Sequence, residues 1–222
     1  MNPLIAGCIH DAKNGLNLLN TWLEEARRVA PSPALDEARA VSARISAQLV
    51  ELLTLYRAGE NSLRLVIEDH DLIDFCEDVT AEIILPPGSN HRIESDQGAA
   101  AVLGAWAFDA YQVKLVLQEA LRNALRHGKQ HIRFAVAAQA GGGLRFTVSD
   151  DGPGFPQEVL DGEAVAMDSG SSGIGLVFAR LIAERHATPD GHHGRIELAN
   201  NGGAVFALVL PFIADKLGRK LT

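Results

Sequence analysis

The sequence predicts an α+β protein in two parts: an antiparallel helical hairpin, then a layered sandwich of helices and mixed strands. Three observations predict it. From Leu4 to Tyr56 apolar residues recur at steps of three and four. Strand-like segments begin only after Leu63. Beyond that point helical patterns are interleaved with antiparallel hairpin signals, which is the signature of an α+β layered domain.

Bulk properties narrow the class. With 222 residues, 47% of them apolar, the chain can bury a real core. Its net charge of −8 argues against nucleic acid, which needs a basic surface. Cys8 and Cys76 are far apart and no C-x-x-C pair exists, which suits a reducing, cytoplasmic setting. The longest apolar runs, "AAAVLGAWAF" and "AVFALVLPFIA", are too short to span a bilayer, and no signal peptide is visible; no membrane association is expected.

The first helix has a heptad seam of Ile5, Ile9, Ala12, Leu16, Leu19, Leu23 and Ala26, widened by Cys8, Gly15, Leu18 and Trp22. Cys8 reads as core packing. The opposite sector carries His10, Lys13, Asn14, Asn17, Thr21 and Glu24, so His10 is expected on the wet face with Asn14 one turn on. "APSP" breaks the helix, with Ser32 as N-cap and Pro33 at the first position of the next helix. A second seam follows: Leu35, Ala38, Ser42, Ile45, Leu49, Leu52 and Tyr56. Each buried Leu or Ile contributes roughly 1.5–3 kcal/mol. One hairpin cannot cover so wide a stripe, so pairing with a second copy into a four-helix bundle is expected. "RAGENS" (57–62) reads as the linker, giving domains 1–60 and 61–222.

In the second part, "LRLVIED", "HRIESD" and "AVLGAW" read as strands and "DLIDFCEDVTAEI" as an amphipathic helix. "FDAYQVKLVLQEALRNALRHG" is the clearest helix, with Asp109 and Gln112 at capping-box spacing and Gly128 closing it. "HIRFAVAA" and "LRFTVSD" alternate with period two around "QAGGG" and read as a hairpin. A helix at about 174–186 precedes "RIELAN" and "AVFALVL", joined by "NGG". His186, His192 and His193 read as loop histidines, with a metal site as the alternative.

Three stretches carry chemistry. Glu119, Asn123 and Arg126 fall at i, i+4 and i+7 on the polar face of the long helix, with His127 beside them. Two stacked oxygen donors suit a hard cation such as Mg²⁺, and the guanidinium and imidazole suit phosphate. The alternative is a solvated helix face. "SDDGPGF" follows a strand; its glycines admit a ligand closely, and Asp150 as an acceptor suits an exocyclic amine such as that of adenine. The alternative is a plain Asp-Gly turn. "GSSGIGL" opens a helix and offers free N–H groups to an anion. The alternative is a flexible loop.

Taken in order, E-x-x-x-N, D-x-G-x-G and the Gly-rich helix start resemble the N, G1 and G2 boxes of the GHKL ATPases, the superfamily that includes gyrase and the histidine kinases. "HDAKN" about a hundred residues upstream resembles the H-box of sensor histidine kinases. The match runs from about His10 to Pro211. The resemblance implies a dimerisation and histidine-phosphotransfer hairpin joined to a Bergerat-fold ATP-binding domain. It implies His10 as nucleophile, Asp11 orienting it, and Asn14 serving a reverse, phosphatase reaction. Asp150 would hold adenine. Asn123, Arg126, His127, Gly152, Gly154, Ser172, Gly173, Ile174, Gly175 and Leu176 would line the nucleotide site, with Glu119 and Asn123 on Mg²⁺. "FPQEVLDGEAVAMDSG" would be the ATP lid. Implied partners are a second copy, a response-regulator receiver domain and an upstream sensor protein, since only nine residues precede His10. There are departures from the usual pattern: Ser171 stands for a glycine, Ala204 for a threonine, and "ATPDGHH" interrupts the usual His-Gly-Gly. They keep open a second reading, a histidine phosphotransferase derived from a kinase.

Overall fold

The computed structural model describes residues 3–60, 62–85, 89–139, 142–162 and 173–213; for residues 3–6 and 8–10 only the backbone is described. The chain divides into two compact units, Met1–Leu63 with Ile84–Ser89, and Arg64–Ile83 with Asn90–Thr222.

The first unit is built on two helices, α1 (Pro3–Val29) and α2 (Pro33–Gly59). Ser32 caps α2 as its sequence context predicts: its backbone is extended and its side chain accepts from the Leu35 N–H, with Pro33 opening the helix. Ion pairs straddle the turn in antiparallel register, Arg27 with Asp36 at 3.1 Å and Arg39 with Glu24 at 2.8 Å. Of the seam, Leu16 and Leu23 are half-buried, whereas Leu18, Leu19 and Trp22 stand exposed, Trp22 by 57%. α2 runs through Gly59, so the first residues of the expected linker continue the helix.

The second unit has a five-stranded sheet in the order β2-β4-β5-β7-β6 and a two-stranded ribbon, β1-β3. The strands are β1 (Glu68–Asp71), β2 (Arg92–Asp96), β3 (Ala105–Phe108), β4 (His131–Gln139), β5 (Gly143–Asp150), β6 (Arg195–Asn200) and β7 (Ala204–Pro211). β2 runs parallel to β4 and every other pairing is antiparallel. The helices are α3 (Leu72–Ala81), α4 (Gly98–Leu103), α5 (Ala110–His127), the short α6 (Gln157–Leu160) and α7 (Ile174–Arg185). Period two in β4 and β5 sends Ile132, Phe134, Val136, Leu144, Phe146 and Val148 to the buried face. There they meet the apolar stripe of α5, in which Val113, Val116, Leu117, Leu121 and Ala124 are buried. Phe75, Phe108 and Phe146 interlock with centroids 4.8–6.0 Å apart.

Two strand expectations differ from the structure. Within "LRLVIED" only Glu68 and Asp69 enter a strand. Its partner β3 is limited to four residues, between Gly104 at the end of α4 and Asp109 at the start of α5, so β1 has nothing further to pair with. In "AVLGAW" the first three residues finish α4, since an Ala-rich run of this length favours helix and periodicity cannot separate the two.

The expected capping box of α5 is half present. Asp109 Oδ1 accepts from the Gln112 N–H at 3.0 Å, but the Asp109 N–H donates to Nε2 of His186 at 3.0 Å rather than to Gln112. The other carboxylate oxygen of Asp109 accepts from the Val66 N–H at 2.8 Å. His186 is fully buried, and its Nδ1 donates to the Ile182 carbonyl at 2.7 Å. Both ring nitrogens are thereby committed within the fold, and no metal-binding cluster is found among the described residues. Burial holds the imidazole below its ordinary value of 6.5, against the raising effects of the Ile182 carbonyl and Asp109.

His186→Leu is expected to strand the Asp109 N–H and cost about 1–3 kcal/mol in denaturant unfolding. The unfolded chain takes up the proton more readily than the folded one. The contribution of His186 is therefore complete above about pH 6.5 and declines as pH falls below it; the leucine variant should lack that slope.

Candidate functional site

Three elements of the second unit meet at one end of the sheet: the last residue of β5, the polar face of α5 and the first turn of α7. Asp150 closes β5 and is half-buried. Its Oδ1 accepts two backbone N–H groups, from Gly152 at 2.8 Å and from Ala204 at 3.3 Å. Its Oδ2 has no hydrogen-bond partner among the described residues. The carboxylate is thus fixed by one oxygen and offers the other.

The loop after Asp150 needs its glycines for two different reasons. At Gly152 a Cβ would clash with the His127 carbonyl oxygen, so the loop passes directly against the end of α5. Gly154 has φ +84, in the left-handed region, and sits under Asn200. Asn200, at the end of β6, clasps the next residue from both sides: its Oδ1 accepts from the Phe155 N–H at 2.7 Å and its Nδ2 donates to the Phe155 carbonyl at 2.9 Å.

Asp151, the variable position of D-x-G-x-G, turns back toward the loop after α5. Its Oδ1 accepts from the N–H groups of Lys129 at 2.8 Å and Gln130 at 3.0 Å. These bonds, that of Gln130 foremost, draw its carboxyl down to about 2. Sequence reasoning missed both Asp151 and Asn200. Each holds backbone distant in sequence, and neither type nor spacing signals that.

On α5, Glu119 and Asn123 are half-buried one turn apart, while Arg126 and His127 are exposed at its end. Glu119 Oε2 accepts from Nε of Arg122 at 3.0 Å. Oε1 has no hydrogen-bond partner among the described residues. An open carboxylate oxygen with an amide one turn away is a hard-oxygen donor set that fits Mg²⁺. Gly173 is the N-cap of α7, with Ile174, Gly175 and Leu176 in the first turn, where N–H groups lack intrahelical acceptors. Ser172 lies outside the described residues, as does the second half of the expected lid, residues 163–170; the described half includes α6. In the first unit, Asp11 and Asn14 are exposed on α1, and the His10 ring lies outside the described side chains.

Residues 108–214 match the family profile described as histidine kinase-, DNA gyrase B-, and HSP90-like ATPase. This segment is thus similar to the ATPase domains of that family. The wider chain is 32% identical over 175 residues to the signal transduction histidine-protein kinase AfsQ2 of Streptomyces coelicolor, covering 73% of this chain and 30% of the relative. It is 27% identical over 233 residues to the sensory histidine kinase/phosphatase NtrB of Salmonella typhimurium, covering 94% of this chain and 61% of that protein. The chain therefore spans less than two thirds of either relative. In fold it resembles the Acinetobacter baumannii histidine kinase AdeS, with a TM-score of 0.58 at 16% identity, covering 89% of this chain and 95% of that one. No described helix is long and apolar enough to cross a membrane.

Asp151→Asn is expected to lower thermal stability at neutral pH. A carboxylate whose folded value lies near 2 contributes fully above its unfolded value of about 4 and loses that contribution as pH falls toward 2. The gap in melting temperature between wild type and variant should hold from pH 7 to 5 and close between pH 4 and 2.

Proposed function

We propose that the protein is a two-component histidine kinase that transfers the γ-phosphoryl group of ATP to His10 and then to an aspartate of a response-regulator receiver domain. The observation that carries this reading is Asp150, held by one oxygen beside a glycine loop with its second oxygen open. A carboxylate accepts only, so it selects an exocyclic amine, as adenine presents. Gly173 and the first turn of α7, with Ile174, Gly175 and Leu176, would bind phosphate oxygens, joined by Ser172, which precedes them in sequence. Arg126 and His127 would contact phosphate oxygens, and Gly152 and Gly154 would admit the base.

Glu119 and Asn123 would hold Mg²⁺, which when bound neutralises charge on the phosphates. A neutral imidazole is a nucleophile near pH 7. In the transfer, the His10 ring nitrogen forms a bond to phosphorus as the bond from phosphorus to the bridging oxygen of ADP breaks. Asp11 receives the proton from the other ring nitrogen. Asn14, exposed one turn on, would aim a water in the reverse direction, dephosphorylating the partner; the kinase/phosphatase name of NtrB supports this direction. The exposed Leu18, Leu19 and Trp22 support a homodimer formed through the hairpin as a four-helix bundle. Intact Asp150, Glu119 and Asn123 weigh against the phosphotransferase alternative.

Incubation with γ-labelled ATP should give an acid-labile, base-stable phosphoprotein. His10→Gln should abolish the label, and its persistence would remove His10 from the mechanism. Asp150→Asn should weaken nucleotide binding in calorimetry at least about tenfold, since a bond to a charged group contributes about 1.5–3 kcal/mol. Trp22→Glu should shift the chain from dimer to monomer in sedimentation.

A further inference from the structure

We infer that Arg122 is a positioning residue for the metal site: it grips one oxygen of Glu119 so that the other is presented toward the first turn of α7, where the metal-bound phosphates would lie. The inference rests on the reading of Glu119 as a Mg²⁺ ligand and extends it to a variable position of the E-x-x-x-N motif.

The geometry is that of a half-closed fork. A guanidinium presents Nε–H and Nη2–H along one edge, and a carboxylate normally takes both. Here Nε donates to Glu119 Oε2 at 3.0 Å, while Nη2 is buried and unpaired among the described residues. The second Glu119 oxygen is therefore spared. Its place is marked by Gly175 in the first turn of α7: a Cβ there would lie 3.0 Å from Glu119 Cγ and 3.6 Å from Oε1. The two side chains are 23% and 19% exposed, so the pair is sheltered, unlike an ordinary i, i+3 surface pair that flickers in water. A carboxylate tied through Oε2 cannot rotate freely, and Oε1 keeps its lone pairs for a hard cation. Partners that fix a ligand in this way typically govern metal affinity by about ten- to a hundredfold.

The test is Mn²⁺ binding to the full chain with a non-hydrolysable ATP analogue, followed by the free Mn²⁺ signal in electron paramagnetic resonance. Affinity for the analogue alone, in chelator, is measured in parallel. Arg122→Met should weaken Mn²⁺ binding about tenfold or more while the metal-free analogue affinity stays within about twofold. Arg122→Lys, which keeps the charge and one donor, should recover part of the loss; it also serves where the methionine variant folds poorly. Mn²⁺ binding by Arg122→Met as tight as wild type, or tighter, would overturn the inference and make Arg122 a competitor of the metal. Glu119→Gln separates the underlying reading: if it leaves Mn²⁺ binding unchanged, Glu119 is not a ligand and both ideas fall. If it abolishes binding while Arg122→Met has no effect, only the role of Arg122 is lost.

Discussion

A single carboxylate oxygen, Oδ1 of Asp150, ties together the parts on which the site depends. It collects the N–H of Gly152, two residues ahead, and the N–H of Ala204, across the β6–β7 turn. A buried backbone donor left unmet is costly, so this atom fixes where the glycine loop leaves β5 and where β7 begins. The constraint spreads outward through neighbours of the same kind. Asp151 draws in the loop after α5, and Asn200 draws in Phe155 at the start of the segment read as the lid. The open oxygen of Asp150 is thus held at a fixed place by backbone that cannot easily drift.

α5 carries the other half of the site, and its two ends are secured differently. At the start, Asp109 gathers α5 itself, Val66 and, through its own N–H, His186 at the end of α7. This binds the helix bearing Glu119 to the helix whose first turn faces it. At the far end, the close passage of Gly152 under the His127 carbonyl leaves no room for a side chain. The insertion "ATPDGHH" sits just beyond His186 without disturbing it. Ala187 pairs with His193, Thr188 pairs with His192 through backbone and side chain, and the Gly194 N–H returns to the His186 carbonyl at 2.8 Å. An interruption in the motif becomes a stapled loop on the surface.

Elements with a long periodic signal or a local cap were legible from residues alone. α5, the β4–β5 and β6–β7 hairpins, and the Ser32 cap are examples, because each depends on neighbours a few positions away. The short apolar runs were not, since α4 and β3 share one stretch and only Gly104 divides them. The Asp109–His186 bond joins positions 77 residues apart, and Gln112 offered a local partner that fitted the same template. Residue order put Glu119, Asn123, Asp150 and the glycines in the order on which the proposed nucleotide site rests. It could not show that Asp150 and Glu119 each keep one oxygen unspent, because that depends on what occupies the other.

Ala204 shows how a departure from a motif can be smaller than it reads. A threonine at this position would bring a hydroxyl beside the carboxylate proposed to hold adenine, and alanine removes it. What the structure uses at position 204 is the backbone N–H, donated to Asp150 Oδ1, and every residue except proline supplies that. The substitution therefore leaves the orientation of Asp150 intact and removes only a side-chain polar contact, of the kind that contributes about 0.5–1.5 kcal/mol. A loss of that size scales affinity by about tenfold at most and does not erase a site. On this ground the chain fits a kinase with an altered adenine contact better than a relay that has lost its nucleotide.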